Sequence, residues 1–153
     1  MRKAFTGLAA LLMFVVVVQF FLAASGAINS APTDEAFGPH RGLGFVTILL
    51  ALVLTVVAAV VRMPGRLIGL SGLVVGLGIL QPVIAIIAKA LGESGAGQLV
   101  FGLHGVNGLA IMGVVLMIIR RSQALTAAPT TPAGTAAASP AAGSAAGPAR
   151  SAS

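Results

Sequence analysis

The chain contains no cysteine, no tryptophan and no tyrosine, and only three acidic residues, Asp34, Glu35 and Glu93. Without cysteine there is no disulfide, no thiolate metal site, no iron–sulfur cluster and no covalently attached c-type haem. Without Trp and Tyr the usual aromatic belt of a membrane protein is missing, and phenylalanines (Phe20, Phe21, Phe37, Phe45) must mark the water–lipid boundaries. The shortage of charge excludes more. Three acids and nine basic residues among 153 positions cannot cover the surface of a soluble domain. The formal charge of +6 does not indicate nucleic-acid binding either, because the basic residues stand in ones and twos at the ends of apolar runs. No basic stripe or aromatic platform accompanies them.

What the chain has is apolar length. Hydrophobic residues make up 58% of the sequence and the mean hydropathy is +1.06. Four runs, at about residues 4–24, 43–61, 67–88 and 99–119, each hold enough residues to cross a hydrocarbon core of about 30 Å as a helix. They do not alternate polar and apolar residues as barrel strands would. Backbone groups in lipid must be satisfied within the segment, so the runs are helices. The fold class expected is all-α: an integral membrane up-down four-helix bundle over residues 1–121, with a disordered tail at 122–153. That tail is almost entirely Ala, Pro, Ser, Thr and Gly and has no apolar periodicity to bury. The first run has a competing reading. Arg2 and Lys3 before an apolar stretch, with Ala23-Ala24-Ser25 after it, also describe a cleavable signal peptide, although the stretch exceeds the usual 7–15 residues.

Orientation follows from the basic residues. Arg2, Lys3, Arg62, Arg66, Arg120 and Arg121 fall on one side of the four spans, whereas all three acids lie on the other with Arg41 and Lys89. The positive-inside rule then places both termini in the cytoplasm of a multi-pass cell-membrane protein. The loop at residues 25–42 faces outward.

Polar groups inside the spans are costly and therefore informative. Gln19, His40, Gln81 and His104 all fall in the outer half, with Asn107 one turn beyond His104. Counting from the outer end of each run, Gln19 and His104 lie about 8 Å deep and Gln81 about 10 Å, with His40 shallower. This predicts a depth mismatch of one to two turns between the histidines. The helical face below His40 carries Gly44, Thr47, Ala51 and Ala58, and that of His104 carries Gly97, Gly108, Ile111 and Val115. Small residues beneath a membrane histidine admit something flat, or another helix. Two histidines on different helices are the metal ligands that a bis-imidazole haem b requires. Arg41 would then pair with a propionate, and Gln19 or Gln81 would orient a ring nitrogen. The competing reading needs no cofactor: small-xxx-small spacings such as Gly65/Gly69 and Gly72/Gly76 serve helix packing, and His104 with Asn107 serves as interhelical glue. Gln81-Pro82 is expected to kink the third span, with Gln81 compensating a freed carbonyl. No nucleophile–base pair, phosphate-cradling loop or intramembrane carboxylate is present, so no catalytic residue is assigned and enzymatic activity is not expected.

Several segments carry a resemblance: Met1-Arg2-Lys3-Ala4-Phe5, Val18-Gln19-Phe20-Phe21-Leu22-Ala23, Ala36-Phe37-Gly38-Pro39-His40-Arg41 and Leu103-His104-Gly105-Val106-Asn107-Gly108. Over residues 1–121 the chain resembles an uncharacterised bacterial family of small four-helix membrane proteins bearing a domain of unknown function. That resemblance implies a membrane location and four helices. In architecture the chain is more distantly similar to one four-helix half of haem A synthase and to b-type cytochrome bundles. Those place histidines on the second and fourth helices toward the outer side, which implies haem binding at His40 and His104. The partners expected are the lipid bilayer together with either a membrane redox partner or further copies joined by helix packing, and no nucleic acid.

Overall fold

The computed structural model describes residues 2–127, and the expected tail from residue 128 onward lies outside them. Five helices succeed one another: α1 (Arg2–Ala27), α2 (Thr33–Ala36), α3 (Gly38–Val60), α4 (Gly65–Ala90) and α5 (Gly95–Ala127). No strand occurs among the described residues. All except the one-turn α2 are long and apolar enough to cross a membrane, which makes this a helical membrane protein.

The boundaries reflect local chemistry. Pro39 enters the first turn of α3, where its missing N–H breaks no helical bond. Pro64 precedes α4 in the same manner. The Ser94 hydroxyl caps α5 by accepting the Gly97 N–H at 3.1 Å. Two helices end on residues in the left-handed region. Arg62 (φ 55°) comes just after α3, and its N–H bonds Ala59 O while the Met63 N–H bonds Ala58 O. Gly92 (φ 65°) comes just after α4.

The long helices pack in a square. Around the ring run α1, α3, α4 and α5, each touching its two neighbours, while α1 and α4, like α3 and α5, stand across diagonals with no backbone contact. Each helix buries one face: Phe5, Ala9, Leu12 and Val16 on α1; Thr47, Ala51, Leu54 and Ala58 on α3; Leu67, Ser71, Val74 and Gly78 on α4; Ile111, Val115, Ile118 and Ser122 on α5. The outward faces carry Phe14, Phe21, Phe45, Leu49 and Val60, all well exposed. Such an inside-and-outside apolar helix is stable only where lipid solvates its outer face.

Two boundaries differ from the expectation. Helix α3 begins at Gly38 rather than near residue 43, which draws His40 into regular helix. Helix α5 continues past residue 121 to Ala127, so the start of the expected disordered tail belongs to the bundle. Ser122 explains why: it is 1% exposed and accepts a hydrogen bond from the Thr6 hydroxyl at 3.0 Å, and it donates in turn to Ile119 O at 2.9 Å. Composition assigns 122–127 to the Ala-, Ser- and Thr-rich tail, but that hydroxyl pair gives the last turns of α5 a partner on α1.

Candidate functional site

The two histidines meet. His40 on α3 and His104 on α5 face each other across one diagonal of the square, with ring centroids 6.0 Å apart and planes inclined at 55°. A mismatch in depth of two turns, the upper end of what counting residues predicts, is therefore excluded. Counting inward from the ends of apolar runs places His40 at the interface, whereas the start of α3 at Gly38 and the stagger of the helices bring the two rings within 6.0 Å.

Each ring is held by the long helix before it in sequence. His40 Nδ1 lies 3.1 Å from the backbone oxygen of Gln19 on α1, and His104 Nδ1 lies 3.2 Å from that of Gln81 on α4. A carbonyl oxygen only accepts, so both Nδ1 atoms donate, and each Nε2 is left with a free lone pair. The sequence points to Gln19 and Gln81 as residues that orient a ring nitrogen. They do so through their main chains, while their side-chain Oε1 atoms are buried and unpartnered.

The glycines near the histidines have a specific use. A Cβ at Gly44 would meet Gln19 Nε2 at 3.2 Å, and one at Gly108 would meet Gln81 Nε2 at 3.3 Å. The small residues expected beneath the histidines thus admit the glutamine amides of neighbouring helices. Rings flank the pair on both sides: Phe37 packs edge-on against His40 at 6.3 Å, and Phe101 stacks on His104 at 5.6 Å. Sequence reasoning does not single out either as a site residue. The signal is present, since Phe37-Gly38-Pro39-His40 and Phe101-Gly102-Leu103-His104 share one spacing.

Arg41 takes another direction. Its guanidinium pairs with the Asp34 carboxylate at 3.3 Å and also donates to the Asp34 backbone oxygen, tying the start of α3 to α2 on the exposed surface. Gln81 is not the amide that serves the carbonyls ahead of Pro82. Asn107, buried on α5, donates to Leu77 O at 2.8 Å. Among the described residues no group of three or more His, Cys, Asp or Glu side chains is placed to hold a metal ion.

Chemically the pair offers two imidazoles, each with an Nε2 lone pair not used by the Nδ1 hydrogen bond, within 6.0 Å of one another. A metal centre bound by both Nε2 atoms at about 2.0–2.1 Å would separate the ring centroids by roughly 6 Å. The observed spacing agrees, so the two histidines would hold a centre whose other ligands are supplied from elsewhere. Comparison with curated proteins and with solved structures finds no match. A model of a family of unknown function, DUF6220, matches residues 19–89, from Gln19 near the end of α1 through His40 to the end of α4, so over that stretch the chain is similar to that family.

Proposed function

We propose that the His40–His104 pair binds a b-type haem, making this a small membrane cytochrome that passes electrons near the outer face. One observation carries the reading: two imidazoles on diagonal helices, each with Nδ1 hydrogen-bonded to a backbone carbonyl, lie 6.0 Å apart, near enough for both to hold one metal centre. His40 Nε2 and His104 Nε2 would hold the iron, which supplies one-electron chemistry when bound. The Gln19 and Gln81 carbonyls fix the rings, and Phe37 and Phe101 shield them from the surrounding phase. Arg41, paired with Asp34, is free to serve a propionate only if that ion pair opens. The basic residues at the opposite end of the bundle support cytoplasmic termini, which puts the histidines on the outer side.

The experiment is direct. The protein is expressed with ample haem, purified in mild detergent, and its oxidised and dithionite-reduced spectra are recorded. A Soret band that disappears in His104→Ala supports the reading, and its absence from the wild type defeats it. A reporter fused after Arg121 should be active only in the cytoplasm.

A second reading rests on the outward glycines. Gly69, Gly72 and Gly76 on α4 and Gly102 and Gly105 on α5 have open space where a Cβ would stand, so they do not pack the bundle itself. In lipid such positions suit close approach of another copy of the chain. On this reading the protein is a cofactor-free structural component, and Gly72→Leu should lower its mass in detergent to that of a monomer.

A further inference from the structure

The two helical hairpins, α1 with α3 and α4 with α5, are the same unit twice. In the first helix of each, Gly7-Leu8-Ala9-Ala10-Leu11 before Gln19 corresponds to Gly69-Leu70-Ser71-Gly72-Leu73 before Gln81 at the same spacing. In the second, Phe37-Gly38-x-His40-x-x-x-Gly44 corresponds to Phe101-Gly102-x-His104-x-x-x-Gly108. Four core positions on each long helix obey the same alignment. Phe5, Ala9, Leu12 and Val16 match Leu67, Ser71, Val74 and Gly78, and Thr47, Ala51, Leu54 and Ala58 match Ile111, Val115, Ile118 and Ser122. The polar contacts repeat as well: ring to glutamine carbonyl, glutamine amide to glycine, unpartnered glutamine Oε1.

From this repetition we infer that the site is two equivalent half-sites facing one axis between the hairpins, with Gln19 and Gln81 as its positioning residues. Each glutamine acts twice on its histidine. Its amide wedges against the glycine one turn from the histidine, which sets the approach of the two helices. Its carbonyl then receives the Nδ1–H and fixes the tautomer. Both Nε2 atoms are consequently left with bare lone pairs, and neither ring offers a proton to the ligand. The site takes an electron-pair acceptor that both imidazoles would hold, a metal centre, and not a ligand that needs hydrogen-bond donors. The haem reading supplies only the identity of that acceptor; the paired half-sites stand or fall without it.

The test uses the full-length chain in detergent micelles, without added haem, labelled with 15N-histidine. The expected spectrum shows both rings with Nδ1 protonated and Nε2 bare. Gly44→Ala, whose new methyl would displace the Gln19 amide, should abolish that signature for His40 and leave His104 unchanged; Gly108→Ala should do the reverse. Should either alanine variant fail to give a monodisperse helical protein, Gln19→Asn and Gln81→Asn, which shorten the wedge without filling the niche, carry the same expectation. An Nε2-protonated ring in the wild type, or a variant that disturbs both rings or neither, overturns the inference. A missing Soret band alongside the expected tautomers defeats only the haem reading.

Discussion

Asn107 donates its side-chain N–H to the backbone oxygen of Leu77 at 2.8 Å, joining α5 to α4 in the turn ahead of Pro82. This is where the two hairpins differ. The first hairpin has Leu43 and Phe20 at the corresponding positions, neither with the special backbone chemistry of its counterpart. Pro82 has no N–H to give Gly78 O and its ring pushes against that carbonyl, which opens the turn. Asn107 does not reach that freed carbonyl; it bonds the one beside it, Leu77 O, and so braces the opened turn from the neighbouring helix.

The two residues should therefore be coupled. Asn107→Leu alone is expected to destabilise the bundle by about 1 kcal/mol, near the range of interhelical hydrogen bonds in membranes. Combined with Pro82→Phe, which restores the first hairpin's pair, the same change should cost much less. Unfolding titrations of the four proteins in mixed micelles measure the coupling, and strictly additive effects would refute it.

At the other end of the bundle, the Thr6–Ser122 hydrogen bond anchors the last turns of α5. Thr6→Val should leave the helix intact to about residue 119 and loosen residues 120–127. Hydrogen exchange would report it as faster exchange confined to those last turns, and an unchanged pattern there would count against the anchor.

Arg62 adopts a φ of 55° at a position where helices usually place glycine. Arg62→Gly should raise stability by roughly 0.5–1 kcal/mol through relief of that strain. A lower midpoint in thermal unfolding would show that the charge contributes more than the backbone conformation costs. The residue supplies one of the positive charges beside the 62–66 turn, which is a reason for a strained arginine to stand there.

The α4–α5 connection tolerates no side chain at Gly97. A Cβ there would collide with the backbone oxygen of Gly92 and come within 3.2 Å of Ala88 O. Neither is a flexible side-chain end that can swing away. Gly97→Ala is expected to cost roughly 2–3 kcal/mol, measured as a fall in the unfolding midpoint, whereas Gly95→Ala, with open space around it, should be nearly neutral.

Much of this protein is legible in its sequence. The number of long helices, their approximate limits and the faces that line the core derive from apolar run length and a 3.6-residue period. The separation of basic residues from acids is equally direct, because each helix reverses the chain. Thr47, Ala51 and Ala58 below His40, and Ile111 and Val115 below His104, are buried where helical geometry puts them. The doubled Phe-Gly-x-His segment is also present as a pattern within the chain.

Tertiary structure decided what run lengths could not express. Depth within one helix is a count of residues, but the level of His40 relative to His104 depends on how four helices slide against one another. That stagger is set by side-chain contacts such as Gln19 against Gly44 and Gln81 against Gly108. It brings two rings, which counting places at different depths, to 6.0 Å. The use of the glutamines' backbone oxygens, and not their amides, as partners of the imidazoles is likewise a matter of approach between helices. Sequence by itself determined a membrane bundle with its polar groups gathered at one end, because burial in lipid constrains residue type. Only packing determined that His40 and His104 meet across the bundle, because interhelical register is a property of pairs of surfaces and not of any one segment.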